Sequence, residues 1–290
     1  MIDAHAHLWL KQDGRVDGLP VYHIGGGLAQ FGAVQKQMMP AYMDDGVNSA
    51  ERFLANMNFA QVAGAAITQE YIDGNQDDYL RQVRSRYPDR IRVCSLYQEA
   101  PLQYDSLWMD GVKLCAGRFA DQDMTHHEQA FAFARQTGRY LSVDLADGDL
   151  QTASMREMIQ QYPGVKIAIG HFGMATTRGW QEQIRLAQNP NVYVESGGIT
   201  WLYNAEYYPY PSAVRAIREA AGICGMHKLM WGSDYPRTMT AITYRMSWDF
   251  VDKSPELTPE EKQMFLHGNA AAFYGFDHLP EMPYVHHMAE

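Results

Sequence analysis

Cysteine is scarce in this chain of 290 residues: there are three, Cys94, Cys115 and Cys224, an odd number at long spacings and without a CxxC pair. That argues against a disulfide framework or a cysteine-rich zinc site and suits a reducing compartment, so the expected location is the cytoplasm. Runs of about 18 apolar residues are missing, which leaves no candidate for a membrane-spanning helix. The opening MIDAHAHLWL has no basic region ahead of an apolar stretch, so it is not read as a signal peptide. Positive charge is in deficit too, with a formal net charge of −10. Nucleic acid and anionic membranes are therefore not expected partners, and a small-molecule substrate is. No low-complexity tract or short-period repeat is visible.

What is present is a regular alternation. Short runs rich in Val and Ile read as eight strands: IDAHAHLW from Ile2, VAGAAIT from Val62, RIRVCSLY from Arg90, DGVKLCA from Asp110, YLSVDLA from Tyr140, VKIAIGH from Val165, VYVESGG from Val192 and KLMWGSD from Lys228. Amphipathic stretches lie between them. Residues 77–87 place Tyr79, Leu80, Val83 and Tyr87 at helical spacing, residues 124–138 end on Gly138, residues 150–164 stop at Tyr162-Pro163-Gly164, and residues 213–222 end at Gly222. A last helix starts with Thr258 as N-cap and Pro259 at the first helical position. Strand then helix, repeated eight times with nearly continuous apolar strands, predicts an α/β fold, a (β/α)8 TIM barrel, as a single domain over 1–290. Residues 11–50, with Gly25-Gly26-Gly27, form a long insertion after the first strand, expected to be functional or locally structured. A tail over about 277–290 is expected to be extended.

In such barrels reactive groups sit at the C-terminal ends of strands. His5 and His7 close the first strand, two apart and therefore on one face. Lys113 ends the fourth, Asp144 the fifth, His171 the sixth, Glu195 and Ser196 the seventh, and Asp234 the eighth. Each alone has an ordinary reading: His171 as a structural histidine, Gly232-Ser233-Asp234 as a plain turn. Their joint placement points to ligation and proton transfer, because buried charge rarely clusters without purpose. Arg118 and Arg237 follow strands on the same face and offer planar forks for a substrate carboxylate. Trp201, Tyr203, Tyr207, Tyr208 and Tyr210 crowd the loop after the seventh strand, as a pocket wall or the interface of a homodimer. Tyr22 and His23 in the insertion are candidates for a lid. His126 and His127, in a first helical turn, are expected to be solvated. His227, His267, His278, His286 and His287 are set aside.

Taken in order, IDAHAHLW, GVKL at Gly111, IGHFG at Ile169, VYVESGG, WGSDYPR at Trp231 and HGNAAAFYG at His267 resemble the amidohydrolase superfamily, specifically its amidohydrolase-2 branch, nearly end to end. The resemblance implies that His5 and His7 ligate a divalent metal, zinc or manganese, or are its metal-free equivalents. It implies that Asp234 is the general base, with a possible share in ligation, and that His171 polarises or protonates the substrate. One departure stands out. Metal-binding members usually carry a His at the end of the fifth strand, where this chain has Asp144. Asp144 is either a carboxylate ligand or the mark of a site without metal. Lys113 occupies the place of a metal-bridging carbamylated lysine, or is a plain ammonium that binds substrate or pairs with Asp144 or Asp234; the second reading is preferred. The resulting expectation is a hydrolase acting on a lactone of a small polar, carboxylated substrate, with Lys113, Arg118, Arg237, Trp201 and Tyr203 binding it. A metal-dependent decarboxylase or C–N hydrolase is the alternative within the family, and a non-catalytic binding barrel the alternative outside it.

Overall fold

A computed structural model of the chain describes residues 1–102, 108–286 and 288–289; His287 lies outside the described residues. The strands are, in chain order, β1 (Ile2–Ala6), β2 (Asp13–Val16), β3 (Leu19–Gly25), β4 (Leu28–Phe31), β5 (Val34–Gln37), β6 (Gly64–Ile67), β7 (Ile91–Leu96), β8 (Gly111–Leu114), β9 (Tyr140–Val143), β10 (Ile167–Ile169), β11 (Val192–Glu195) and β12 (Leu229–Met230). β1 and β6 to β12 form one eight-stranded sheet in sequential order. The pairings within it are parallel. Ala4 N donates to Trp231 O at 2.9 Å and Ala6 makes a parallel bridge with Tyr235, which closes the sheet into a TIM barrel. These are the eight strands expected from the sequence. Val112, Leu114, Leu141, Val143, Ile167, Ile169, Val192 and Val194 face the helices in one large buried cluster, which explains their apolar runs.

Helices follow the strands at Ala50–Phe59, Asp77–Arg86, Glu128–Thr137, Thr152–Gln161, Trp180–Leu186, Pro211–Cys224 and Met246–Lys253. Pro259–Gln263 and Asn269–Tyr274 then flank a π turn. Gly138, at φ 69°, ends its helix as expected, and Thr258 and Glu261 form a capping box. The strict repeat fails once: among the described residues, no helix lies between β7 and β8. His127 is also not solvated; it is buried and hydrogen-bonds to Asp121 O at 2.9 Å, whereas His126 is exposed. No helix among the described residues is long and apolar enough to cross a membrane.

The insertion after β1 is a sheet of its own, β2-β3-β4-β5, antiparallel throughout. It docks through β2 on the loop that follows β6, where Arg15 N donates to Tyr71 O at 2.8 Å and Asp13 N to Asp73 O at 3.2 Å.

The first barrel strand holds an irregularity that sets up everything else. Ile2 and Ala4 belong to the smaller buried cluster with Ala66, Cys94 and Ala168, whereas Ala6 and Leu8 belong to the large cluster under the helices. Strict alternation would keep Ala4 and Ala6 on one face. A register shift between Asp3 and Ala6 breaks it, and His5 and His7 thereby both face the cavity mouth. Asp3 holds this bulge. Its carboxylate accepts hydrogen bonds from His5 N (3.1 Å), Ser233 N (2.8 Å), Ser233 Oγ (2.5 Å) and Tyr244 Oη (2.8 Å), tying β1 to the segment after β12.

Candidate active site

At the C-terminal ends of the strands lies a cavity of about 500 Å³ whose wall includes Glu70, Asp144, His171, Trp201, Asp234 and Arg237. His5 and His7 lie beneath it, buried. His5 Nδ1 donates to Glu195 Oε1 at 2.7 Å, and because an ionised carboxylate only accepts, the bond fixes the tautomer and leaves Nε2 a free lone pair. The other oxygen of Glu195 accepts from Gly197 N at 2.5 Å. His5 Nε2 is 3.1 Å from His7 Nε2, which is 2.9 Å from Asp234 Oδ1. Space here is tight: a Cβ at Gly232 would sit 2.7 Å from Glu195 Oε2 and 2.8 Å from His5 Cβ, so only glycine fits.

His5, His7 and Asp234 each offer one ligand atom within 4.8 Å of the others. Two imidazole nitrogens and a carboxylate oxygen are a donor set suited to zinc or manganese. Burial, helped by the Arg237 guanidinium, pulls His7 down to about 4, so it is neutral and able to ligate in ordinary buffer. The Glu195 contact to His5 is the outer-shell partner that metal-binding histidines use. The residues present therefore fit a divalent cation. His5, Asp144 and His171 form a second such group, but Asp144 is already engaged: its Oδ2 is 2.6 Å from Lys113 Nζ and 3.3 Å from His171 Nε2.

That engagement decides how Lys113 behaves. It is fully buried, does not line the cavity, and is an ammonium: burial opposes its charge, but Asp144 more than compensates and pushes its pKa upward. A carbamate needs the neutral amine, so the ion-pair reading fits. His171 responds to the same carboxylate. Burial pulls it down, yet Asp144 pushes it up to about 10. Its Nδ1 donates to Gly197 O at 2.9 Å, leaving the Nε2 edge toward the cavity. Asp234 is held well below the ordinary range: burial raises it, and the hydrogen bond from His7 and the charge of Arg237 outweigh that. Trp201 Nε1 donates to Asp234 Oδ2 at 2.9 Å, so Trp201 both walls the cavity and aims the carboxylate.

The other expected binding residues are placed differently. Arg237 lines the cavity but its Nη2 is 2.8 Å from Asp73 Oδ2 and its Nη1 3.7 Å from Asp234 Oδ1. Arg118 is partly exposed at the mouth, with Nε 4.0 Å from Glu70 Oε2. Tyr203 is turned away, with its hydroxyl 3.5 Å from Ala175 O. Tyr207, Tyr208 and Tyr210 line a separate groove with Ile242 and Met246. From the insertion, Met38 reaches the cavity rather than Tyr22 or His23. Sequence reasoning missed Glu70, Asp73 and Asp3, and gave Glu195 a position without a role. The available signal for Glu70 and Asp73 was their position just past the second strand, the same cue that found the others.

The amidohydrolase family model matches residues 2–276. Over an alignment 312 positions long the chain is 25% identical to an L-fucono-1,5-lactonase of Burkholderia ambifaria, covering 95% of this chain and 96% of that protein. It is 28% identical to an uncharacterised protein of Sinorhizobium fredii over 49% of this chain, and spans only half (50%) of that relative's length. The barrel superposes with a TM-score of 0.71 on a probable 2-pyrone-4,6-dicarboxylic acid hydrolase of Acinetobacter baumannii with citric acid bound, at 17% identity, covering 94% of this chain and 98% of that one. It superposes with a TM-score of 0.68 on a zinc-bound amidohydrolase of Burkholderia multivorans, at 16% identity, covering 96% and 99%. This chain therefore belongs to the amidohydrolase family and is an enzyme of the hydrolase type.

Proposed function

We propose that the protein hydrolyses the C–O bond of a small polar lactone, in the cytoplasm. The observation that carries this reading is the clustering of His5, His7, His171 and Asp234, with His171 and Asp234 in the cavity wall and His5 and His7 buried in contact with them. The similarity over nearly the whole chain to an L-fucono-1,5-lactonase favours a lactone over a carboxylate lost as carbon dioxide.

In this reading Asp234 accepts a proton from the attacking water. It is ionised because His7, Trp201 and Arg237 hold it so, which also makes it a weak base by itself. His5, His7 and Asp234 would hold a divalent cation, which would supply Lewis acidity that makes water easier to deprotonate. The water oxygen bonds to the lactone carbonyl carbon, and the His171 imidazolium stabilises the charge that develops on the carbonyl oxygen. Collapse breaks the ring C–O bond. The leaving alkoxide takes a proton from His171, and the proton on Asp234 restores the imidazolium through solvent. One water is consumed and one hydroxy acid forms.

Asp234→Asn keeps the shape and loses the base. The expected result is loss of lactone turnover of about 10²–10⁴-fold with an unchanged circular dichroism spectrum. Full activity in that variant overturns the assignment.

A further inference from the structure

The cations at this site are already paired. Lys113 is held by Asp144 at 2.6 Å, Arg237 by Asp73 at 2.8 Å and by Asp234 at 3.7 Å, and His171 by Asp144 at 3.3 Å. Arg118, the remaining cation of the wall, faces Glu70. Glu70 is less tightly paired than Asp144, Asp73 and Asp234. It lies in the loop after β6, its side chain only 12% exposed, and its two oxygens stand 4.0 Å from His171 Nε2 and 4.0 Å from Arg118 Nε. Among the described residues no hydrogen bond reaches its side chain; only its backbone oxygen is used, by Asp73 N. A nearly buried carboxylate on a cavity wall, with open acceptor capacity, is arranged to meet a donor from the ligand.

We infer that Glu70 is a specificity-determining residue that selects uncharged, hydroxyl-bearing substrates and rejects carboxylates at the half of the cavity between His171 and Arg118. This rests on reading the cavity as the substrate site. A substrate carboxylate placed there would meet Arg118 and the edge of His171, but Asp144 already offsets His171 and Glu70 offsets Arg118, so it would add like charge beside Glu70 in a partly dehydrated space, where such repulsion costs about a factor of ten in affinity. A hydroxyl donates to Glu70 instead. On this inference the substrate is a polyhydroxylated neutral lactone, in place of the carboxylated one expected from Arg118 and Arg237.

The test uses calorimetric binding of the glutarate dianion to the full chain, with D-glucono-1,5-lactone hydrolysis measured separately. Wild type is expected to bind glutarate weakly. Glu70→Gln, which keeps the shape and removes the charge, is expected to tighten glutarate about tenfold or more. Glu70→Asp keeps the charge and is expected to leave it weak, so general loosening of the loop is distinguished from charge removal. Tight glutarate binding by wild type, or equal affinity in wild type and Glu70→Gln, overturns the inference. Absence of lactone hydrolysis alongside the expected glutarate pattern would sink the lactonase reading and leave the role of Glu70 standing.

Discussion

Replacing Lys113 by Met tests the electrostatic scaffold of the site without touching any residue that lines the cavity. The side chain is fully buried and its ammonium lies 2.6 Å from Asp144 Oδ2. Met has nearly the same length, so packing is conserved while the charge is lost. Asp144 is then left with His171 as its partner at 3.3 Å. Removing one member of a buried pair costs about 3–5 kcal/mol, because the other charge stays desolvated. At about 2 °C per kcal/mol for a chain of this size, the melting temperature should fall by about 6–10 °C. Differential scanning calorimetry on the metal-free protein measures it. Adding Asp144→Asn closes a double-mutant cycle, in which the second change should cost much less in the Lys113→Met background than in wild type, with a coupling of about 1–3 kcal/mol. A fall below about 2 °C, with additive costs, would show that the pair does not stabilise the fold. Activity that depends on bicarbonate in wild type and not in the variant would restore the carbamate.

Further expectations concern the same constellation. Glu195→Ala removes the acceptor that orients His5, and zinc affinity measured against a fluorescent chelator should weaken about 10–100-fold; unchanged affinity would mean that the contact is incidental. Asp3→Ala leaves four buried donors without their acceptor, so denaturation should show a loss of about 3–5 kcal/mol, and zinc binding should fail along with it as the bulge relaxes. In the metal-free protein, His171 is raised in the folded state to about 10 against an ordinary value near 6.5. Its contribution to stability is therefore full below the unfolded value and disappears as pH climbs through the folded one. Nitrogen NMR should show the ring protonated through neutral pH, and Asp144→Asn should bring its titration down to or below the ordinary range. A midpoint near neutrality in wild type would contradict the Asp144 assignment.

The barrel was legible because its strands are buried on both faces and leave an uninterrupted apolar trace. His5, His7, His171 and Asp234 were legible because polar residues at the ends of such traces stand out. The inserted sheet was not: β5 is exposed at all four positions, and in β2 the buried position is a glycine, so no alternation of apolar and polar side chains marks them. Asp3 lay hidden inside the same apolar trace, its importance arising from a bulge that shifts the facing of the next residues. Glu70 and Asp73 sit in a short polar segment that reads like any solvated loop. The pairing of Asp73 with Arg237 joins residues 164 apart, a relation that only the closed ring creates. Arg118 and Arg237 were expected to be open for a ligand because sequence shows a charge and not its neighbour.

The seam between the inserted sheet and the barrel is built backbone against backbone. A single methyl at Gly14 would lie 2.0 Å from Tyr71 O, and one at Gly74 would lie 2.5 Å from Asp13 O, so no side chain can be interposed on either side. Gln12 Nε2 also grips Asp73 Oδ1 at 3.1 Å. A bulky residue at position 14 would act as a wedge. It would lift the plate formed by β2 to β5, drag Asp73 outward, free Arg237, and so reach Asp234 from the outer surface through a chain of four links. Exchange of this appendage between relatives would succeed only if residues 70–74 travelled with it.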